Sequence, residues 1–161
     1  MNGNRGARAL FAFLLAVTLL LLGDAPQVDA AESRLRGTMS VTAGELLAKP
    51  AQRSYVVDTV GMVAAEDAEQ IAKIGAELRA KTKAEIVVVT VATLGGTDIE
   101  SYANELFRSW GIGDARLNNG VLLLIAKDDR AFRIEVGYGL EGAITDGYAG
   151  SVLDAMKVEF R

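Results

Sequence analysis

Histidine and cysteine are both missing from this chain of 161 residues. Their absence excludes a Ser-His-Asp or Cys-His nucleophile pair, a histidine phosphoenzyme and a zinc site of the ordinary His and Cys type. No disulfide can form, so in an oxidising compartment the fold must rest on its apolar core and on any bound ion. A basic surplus is missing too, since 17 Lys and Arg stand against 21 Asp and Glu for a net charge of −4. Nucleic-acid binding draws on a basic face, and no such partner is expected. The chemistry left open belongs to carboxylates, hydroxyls, basic side chains and metals with oxygen ligands.

Half of the residues are hydrophobic, enough for one domain with a sizeable core but not for two. Part of that half lies in the first thirty residues. Arg5 and Arg8 precede an apolar run from Ala9 to Leu22, and Val28 and Ala30 occupy the −3 and −1 positions of a cleavage site. The run is short for a membrane span, which needs about 20 apolar residues. Residues 1–30 are therefore expected to be a secretory signal peptide, with a retained anchor as the alternative. Either way the remainder is exported, to the periplasm or the extracytoplasmic face of the membrane. Arg5 and Arg8 would leave together with Asp24 and Asp29, so the net charge stays at −4.

Residues 31–54 mix small and charged side chains around one weak helical patch ended by Pro50, the composition of a linker. Tyr55-Val56-Val57 then reads as a short strand stopping at Asp58. Ile71, Ile74 and Leu78 recur at helical spacing between about Ala65 and Thr82, and Ile86 to Val91 is an almost unbroken β-branched strand. After the Leu94-Gly95-Gly96 turn, Thr97 and Glu100 have the spacing of a capping box. Ile99, Tyr102, Ala103, Leu106, Phe107 and Trp110 follow as one apolar helical stripe, so these aromatics belong to the core.

Val121 to Ala126 is a continuous apolar run, as in a strand covered on both faces, whereas Phe132, Ile134 and Val136 alternate with Arg133 and Glu135. The two runs form a hairpin with Asp128, Asp129 and Arg130 at its tip. Thr145 is placed to cap a last helix whose stripe is Ala149, Val152, Leu153, Met156 and Phe160. That stripe reaches Arg161 without a cap, which points to a domain truncated at its carboxyl end.

The order strand, helix, strand, helix, strand, antiparallel strand, helix predicts an α/β fold with a mostly parallel four-stranded sheet and one antiparallel edge strand. Asp58, the Leu94-Gly96 turn and the hairpin tip fall at the carboxyl edge of the parallel strands, where open α/β sheets bind ligands. A strand order of 2-1-3-4 would seat Asp58 beside the tip; 1-2-3-4 is the alternative. Asp58, Asp128 and Asp129 are then candidate ligands of a hard divalent cation. Turn-forming aspartates alone also account for the tip. Arg130 would hold an anionic ligand or pair with a neighbouring aspartate.

Gly137-Tyr-Gly-Leu-Glu-Gly142 spells a dinucleotide fingerprint, but it follows the antiparallel strand, and Glu141 would repel a pyrophosphate. Its glycines are expected instead to admit a tight chain path past Trp110 and Asn119, with Glu141 or Asp146 accepting backbone donors. A second ion site from those two acids is the weaker option. Val60 stands where an aspartyl-phosphate enzyme would carry its second acid, so Asp58 is not read as a nucleophile.

Val57-Asp58-Thr59-Val60-Gly61, Leu94-Gly95-Gly96, Trp110-Gly-Ile-Gly113, Asn119-Gly120, Asp128-Asp129-Arg130 and Gly137 to Asp146 come in the order of a TPM domain. From about residue 55 to 161 the chain resembles that family, which includes thylakoid-lumen photosystem II repair proteins, an acetylcholine-receptor modulator and bacterial envelope proteins. The resemblance implies a Rossmann-like, three-layer α/β/α sandwich. It also implies binding of Ca²⁺, or Mg²⁺ in its place, through Asp58, Asp128 and Asp129, in an accessory module for other envelope or membrane proteins. Metal-dependent acid phosphatase action on phosphomonoesters is the alternative, known from plant members. Ala64 and Ala65 depart from the Ser or Thr helix cap common in relatives, and the membrane tether that often follows the domain is missing. Mass spectrometry of the exported protein is expected to find Ala31 as the first residue; retention of residues 1–30 would indicate an anchor.

Overall fold

Seven-residue strands buried at every position need cover on both faces, and two of them form the middle of this molecule. The computed structural model describes residues 46–159, excluding the side chains of Asp146 and residues 155–159. The expected signal peptide, the first part of the linker, the stripe residue Phe160 and the side chain of Met156 lie outside what is described. Strands β1 (Val56–Asp58), β2 (Glu85–Val91), β3 (Gly120–Ala126) and β4 (Ala131–Val136) form one sheet. Helices α1 (Ala65–Thr82), α2 (Ile99–Trp110) and α3 (Asp146–Glu159) cover it, and a short 3₁₀ turn (Tyr138–Leu140) follows β4. This is the expected α/β fold, with β1, β2 and β3 parallel and β4 antiparallel at the edge. Among the described residues no helix is long and apolar enough to cross a membrane.

Alternation along β2 and β3 sends their side chains to opposite layers. Ile86, Val88, Val121, Leu123 and Ile125 share a core with Ile71 and Leu78 of α1, and Ala149, Val152 and Leu153 of α3 pack against it. Val87, Val89, Val91, Leu122, Leu124 and Ala126 share the other core with Tyr102, Ala103, Leu106 and Trp110 of α2. Each fully buried aliphatic side chain contributes about 1.5–3 kcal/mol. The β2–β3 pair, with all fourteen positions buried, therefore outweighs the short, half-buried β1.

The strand order is β1-β2-β3-β4, not 2-1-3-4. The long β-branched strand takes a central place because both its faces must be covered, and three-residue β1 is left at the edge. Successive parallel strands thus step the same way across the sheet while α1 and α2 lie on opposite faces. Their two crossovers have opposite hands, so one is left-handed, against the strong right-handed preference of such units.

Local capping differs from expectation at one helix. Asp98, not Thr97, is the N-cap of α2, its Oδ1 accepting from the Ser101 amide at 2.8 Å. The Thr97 amide instead closes the preceding turn on the Leu94 carbonyl. Thr145 caps α3 as predicted, its hydroxyl accepting from the Tyr148 amide at 3.3 Å. Ala64 provides α1 with no side-chain cap, although Glu66 and Asp67 in the first turn complement the helix dipole.

Residues 46–54, the described end of the expected linker, pack on the domain, and Leu47 is only 2% exposed. Gly75, inside α1, leaves room for the Tyr55 ring, which an added Cβ would approach to 2.5 Å. Gly137 and Gly139 do serve a close approach, but to the 117–118 backbone, whereas a Cβ on Gly142 would meet nothing within 4 Å. A Cβ on Gly139 would lie 1.9 Å from the Leu117 carbonyl oxygen, and the Gly139 amide donates to the Asn118 carbonyl at 2.9 Å. Glu141 is exposed and takes no backbone donor among the described residues, and the Asp146 side chain lies outside them. Gly139→Ala is expected to cost about 1–3 kcal/mol, the usual penalty of forced overpacking. Urea unfolding of the variant measures it, and an unchanged midpoint would mean that the 117–118 backbone yields freely.

Candidate functional site at the carboxyl edge of the sheet

Parallel strands deliver their following loops to one edge, here the 59–64 segment, the 92–98 loop and the Lys127–Arg130 turn. Asp58 ends β1 and is half-buried. Its Oδ1 accepts from the Val60 amide at 3.2 Å and from the Thr90 hydroxyl, and its Oδ2 accepts from the Val63 amide at 2.8 Å. Thr90 is fully buried on β2, the strand beside β1. Thr59 adds a second link, its hydroxyl donating to the Thr90 carbonyl at 2.7 Å. Burial alone would raise the Asp58 pKa, but the hydrogen bonds from Thr90, Val63, Met62 and Val60 outweigh it, and the net shift is downward. The carboxylate is thus kept ionised as the acceptor that holds the 59–63 loop against β2.

The hairpin tip is organised separately. Lys127 and Asp128 extend the parallel pairing beyond the strands, their amides donating to the Val91 and Ala92 carbonyls at 3.0 and 2.8 Å. Asp129 Oδ2 accepts from the Leu94 amide at 2.8 Å, which joins the tip to the Leu94-Gly95-Gly96 turn. The Asp128 carboxylate faces solvent and has no partner among the described residues. Arg130 is exposed in the left-handed region at φ 52°, and among the described residues it forms no ion pair with the adjacent aspartates.

Asp58 does not join the other two candidates. With β2 between β1 and β3, two strand spacings separate it from the tip, about 10 Å across the sheet. The tip also lies beyond Ile125, which is level with Thr90 and hence with Asp58. Among the described residues no three acidic side chains form a group able to hold a metal ion. Asp128 and Asp129 are adjacent in the chain, and among the described residues Asp128 has no hydrogen-bond partner while Asp129 uses one carboxylate oxygen, on the Leu94 amide.

The opposite edge holds a constellation that residue patterns did not single out. Glu85 opens β2 with a side chain only 9% exposed; it pairs with Arg53, binds Arg79 at 3.1 Å and accepts from the Gly113 amide at 3.0 Å. The available signal was an acid placed directly before a β-branched central strand, where burial demands a partner. Nearby, Asp114 accepts from the Arg116 and Leu117 amides at 2.9 and 3.2 Å, and those bonds lower its pKa. The buried Asn119 accepts from the Asp114 amide at its Oδ1, at 2.9 Å.

The family profile of the TPM domain matches residues 56–161, from the first strand through the last helix. The chain belongs to the TPM-domain family. Among solved structures, the N-terminal domain of a protein from P. gingivalis, determined by solution NMR, is 28% identical over 66% of this chain and 75% of its own, with a TM-score of 0.52. The N-terminal domain of a Corynebacterium glutamicum protein, also from solution NMR, is 20% identical over 74% and 86%, with a TM-score of 0.47. A comparison with curated proteins gives no match. The P. gingivalis domain agrees in fold with the four-stranded mixed sheet and flanking helices of this TPM domain.

Asp58→Asn is expected to destabilise the TPM domain by about 1–3 kcal/mol at neutral pH, because an amide group then faces donors that a carboxylate had satisfied. A depressed folded-state pKa gives stability that is fully present above the unfolded value, near 3.8, and is lost as pH falls through the folded value. The gap between wild type and variant should therefore narrow below pH 3.8. Denaturation midpoints across pH 2.5–7 measure this, and a gap that does not change with pH would remove the charge from the explanation.

Proposed function

We propose that this TPM domain is an exported binding module of the cell envelope that takes a divalent cation, calcium, at the Asp128-Asp129 turn and acts as an accessory to other envelope proteins. The observation that carries it is the unequal state of the three aspartates. Asp58 is committed to the Thr90 hydroxyl and the loop amides, whereas Asp128 has no partner and Asp129 keeps one oxygen free among the described residues. Calcium takes roughly six to eight oxygens, so two carboxylates would be completed by turn carbonyls, water or a partner's side chains. Completion by a partner suits an accessory role, because cation and partner would then bind together.

Export rests on Arg5, Arg8, the Ala9–Leu22 run and the Val28/Ala30 spacing. The Asp58 environment supports a structural anchor more than a reacting group, since three amides and a hydroxyl surround a carboxylate of lowered pKa. Calcium titration followed by amide shifts is expected to move residues 93–96 and 127–130, to leave 58–63 in place, and to lose its effect in Asp128→Asn/Asp129→Asn. Absence of saturable shifts would sink cation binding. Hydrolysis of a chromogenic phosphate ester that disappears in Asp58→Asn would replace the module with a phosphatase.

A further inference from the structure

Residues 46–54 cross the amino edge of the sheet, remote from the proposed cation turn, and their attachment is unusual. Leu47 is buried in the α2-side core at 2% exposure, and both its backbone groups are bound by side chains of one helix. Its amide donates to the Tyr102 hydroxyl at 3.2 Å, and its carbonyl accepts from the Trp110 indole nitrogen at 2.9 Å. Two residues on, the Lys49 ammonium donates to the Trp110 carbonyl at the end of α2, and Arg53 pairs with the buried Glu85. Among the described residues this segment makes no backbone-to-backbone bond with the rest of the domain. Beneath it lies a cavity of about 250 Å³ bordered by Gln52, Arg53, Glu85, Trp110 and Ile112.

An apolar anchor in a pocket, with main-chain groups bound by fixed side chains, is how a groove holds an extended peptide. A segment held by one buried leucine and side-chain links opens more readily than strands in a continuous ladder. We propose that residues 46–54 are a detachable strap, the chain's own occupant of a peptide-docking groove along α2, which leaves and returns without unfolding of the sheet. The groove selects a leucine-type anchor followed two positions later by a lysine and then by an arginine that reaches Glu85. Release uncovers Trp110, the only tryptophan of the chain, and exposes the peptide bond after Arg53 to trypsin.

The exported chain tests this in two ways. In the wild type, hydrogen exchange at the Leu47 amide should run at least tenfold faster than at Leu122–Leu124 of β3. In Leu47→Asp, Trp110 emission should shift to the red and cleavage after Arg53 should accelerate at least tenfold, while β3 protection persists. Adding a synthetic peptide spanning residues 45–54 should restore the emission saturably, and the same peptide with Leu47→Asp should not. Exchange of Leu47 in step with β3 would overturn the strap, and it decides alone should the variant not fold. Failure of the wild-type peptide to restore emission would overturn the groove.

Discussion

The pairing of β2 with β3 is the constraint on which the other elements depend. Seven registered positions run from Glu85 opposite Gly120 to Val91 opposite Ala126, and every one is buried. Parallel strands of this kind need helices on both faces, because aliphatic side chains leave the sheet in both directions. Hence α1 and α3 are drawn to one layer and α2 to the other. Antiparallel β4 closes the free side of β3, putting Phe132, Ile134 and Val136 against the α1 and α3 layer while Arg133 and Glu135 face α2. There Arg133 and Asn104 both bind Glu135, and Arg133 lies within 3.9 Å of Glu100.

A chain without cysteine must secure its loops by other means, and here carboxylates do so. Asp58 gathers the amides after β1, Asp129 takes the Leu94 amide, Asp98 caps α2, and Asp114 organises the loop before β3. Glu85 does the same at the buried amino edge with two arginines and the Gly113 amide. Charged acceptors make the stronger hydrogen bonds to amides. Removing Asp58 or Glu85 leaves several part-buried donors unsatisfied together, which makes those two positions costly to change. These acids are therefore more informative by what they hold than by their charge, and of the three candidate aspartates Asp128 is the one that holds nothing among the described residues.

The spatial order of the strands separates two regions of different character. The carboxyl edge carries exposed turns and, among the described residues, free oxygens at Asp128 and Asp129 and an Arg130 without an ion pair. The amino edge carries a buried ion cluster and a segment docked from outside the matched family region, which begins at Val56. That segment extends the folded unit at least to Leu47. β2 spans the two edges, from Glu85 to the buried Thr90 beside Asp58.

Residue order by itself determined the helices, the strands, the hairpin, the burial of Trp110 and the cap at Thr145, because each follows from spacing over a few turns or pleats. It also placed the three candidate aspartates at the correct edge, since strand direction follows from the alternation of elements. It did not determine that β2 would lie between β1 and β3, that Asp58 would bind Thr90 instead of nearing Asp128, or that Glu85 and Leu47 would join distant segments. Those outcomes depend on which strands become neighbours and on which face each crossover helix lies, here with crossovers of opposite hand. Such choices balance burial across the whole sheet, and no local pattern records that balance.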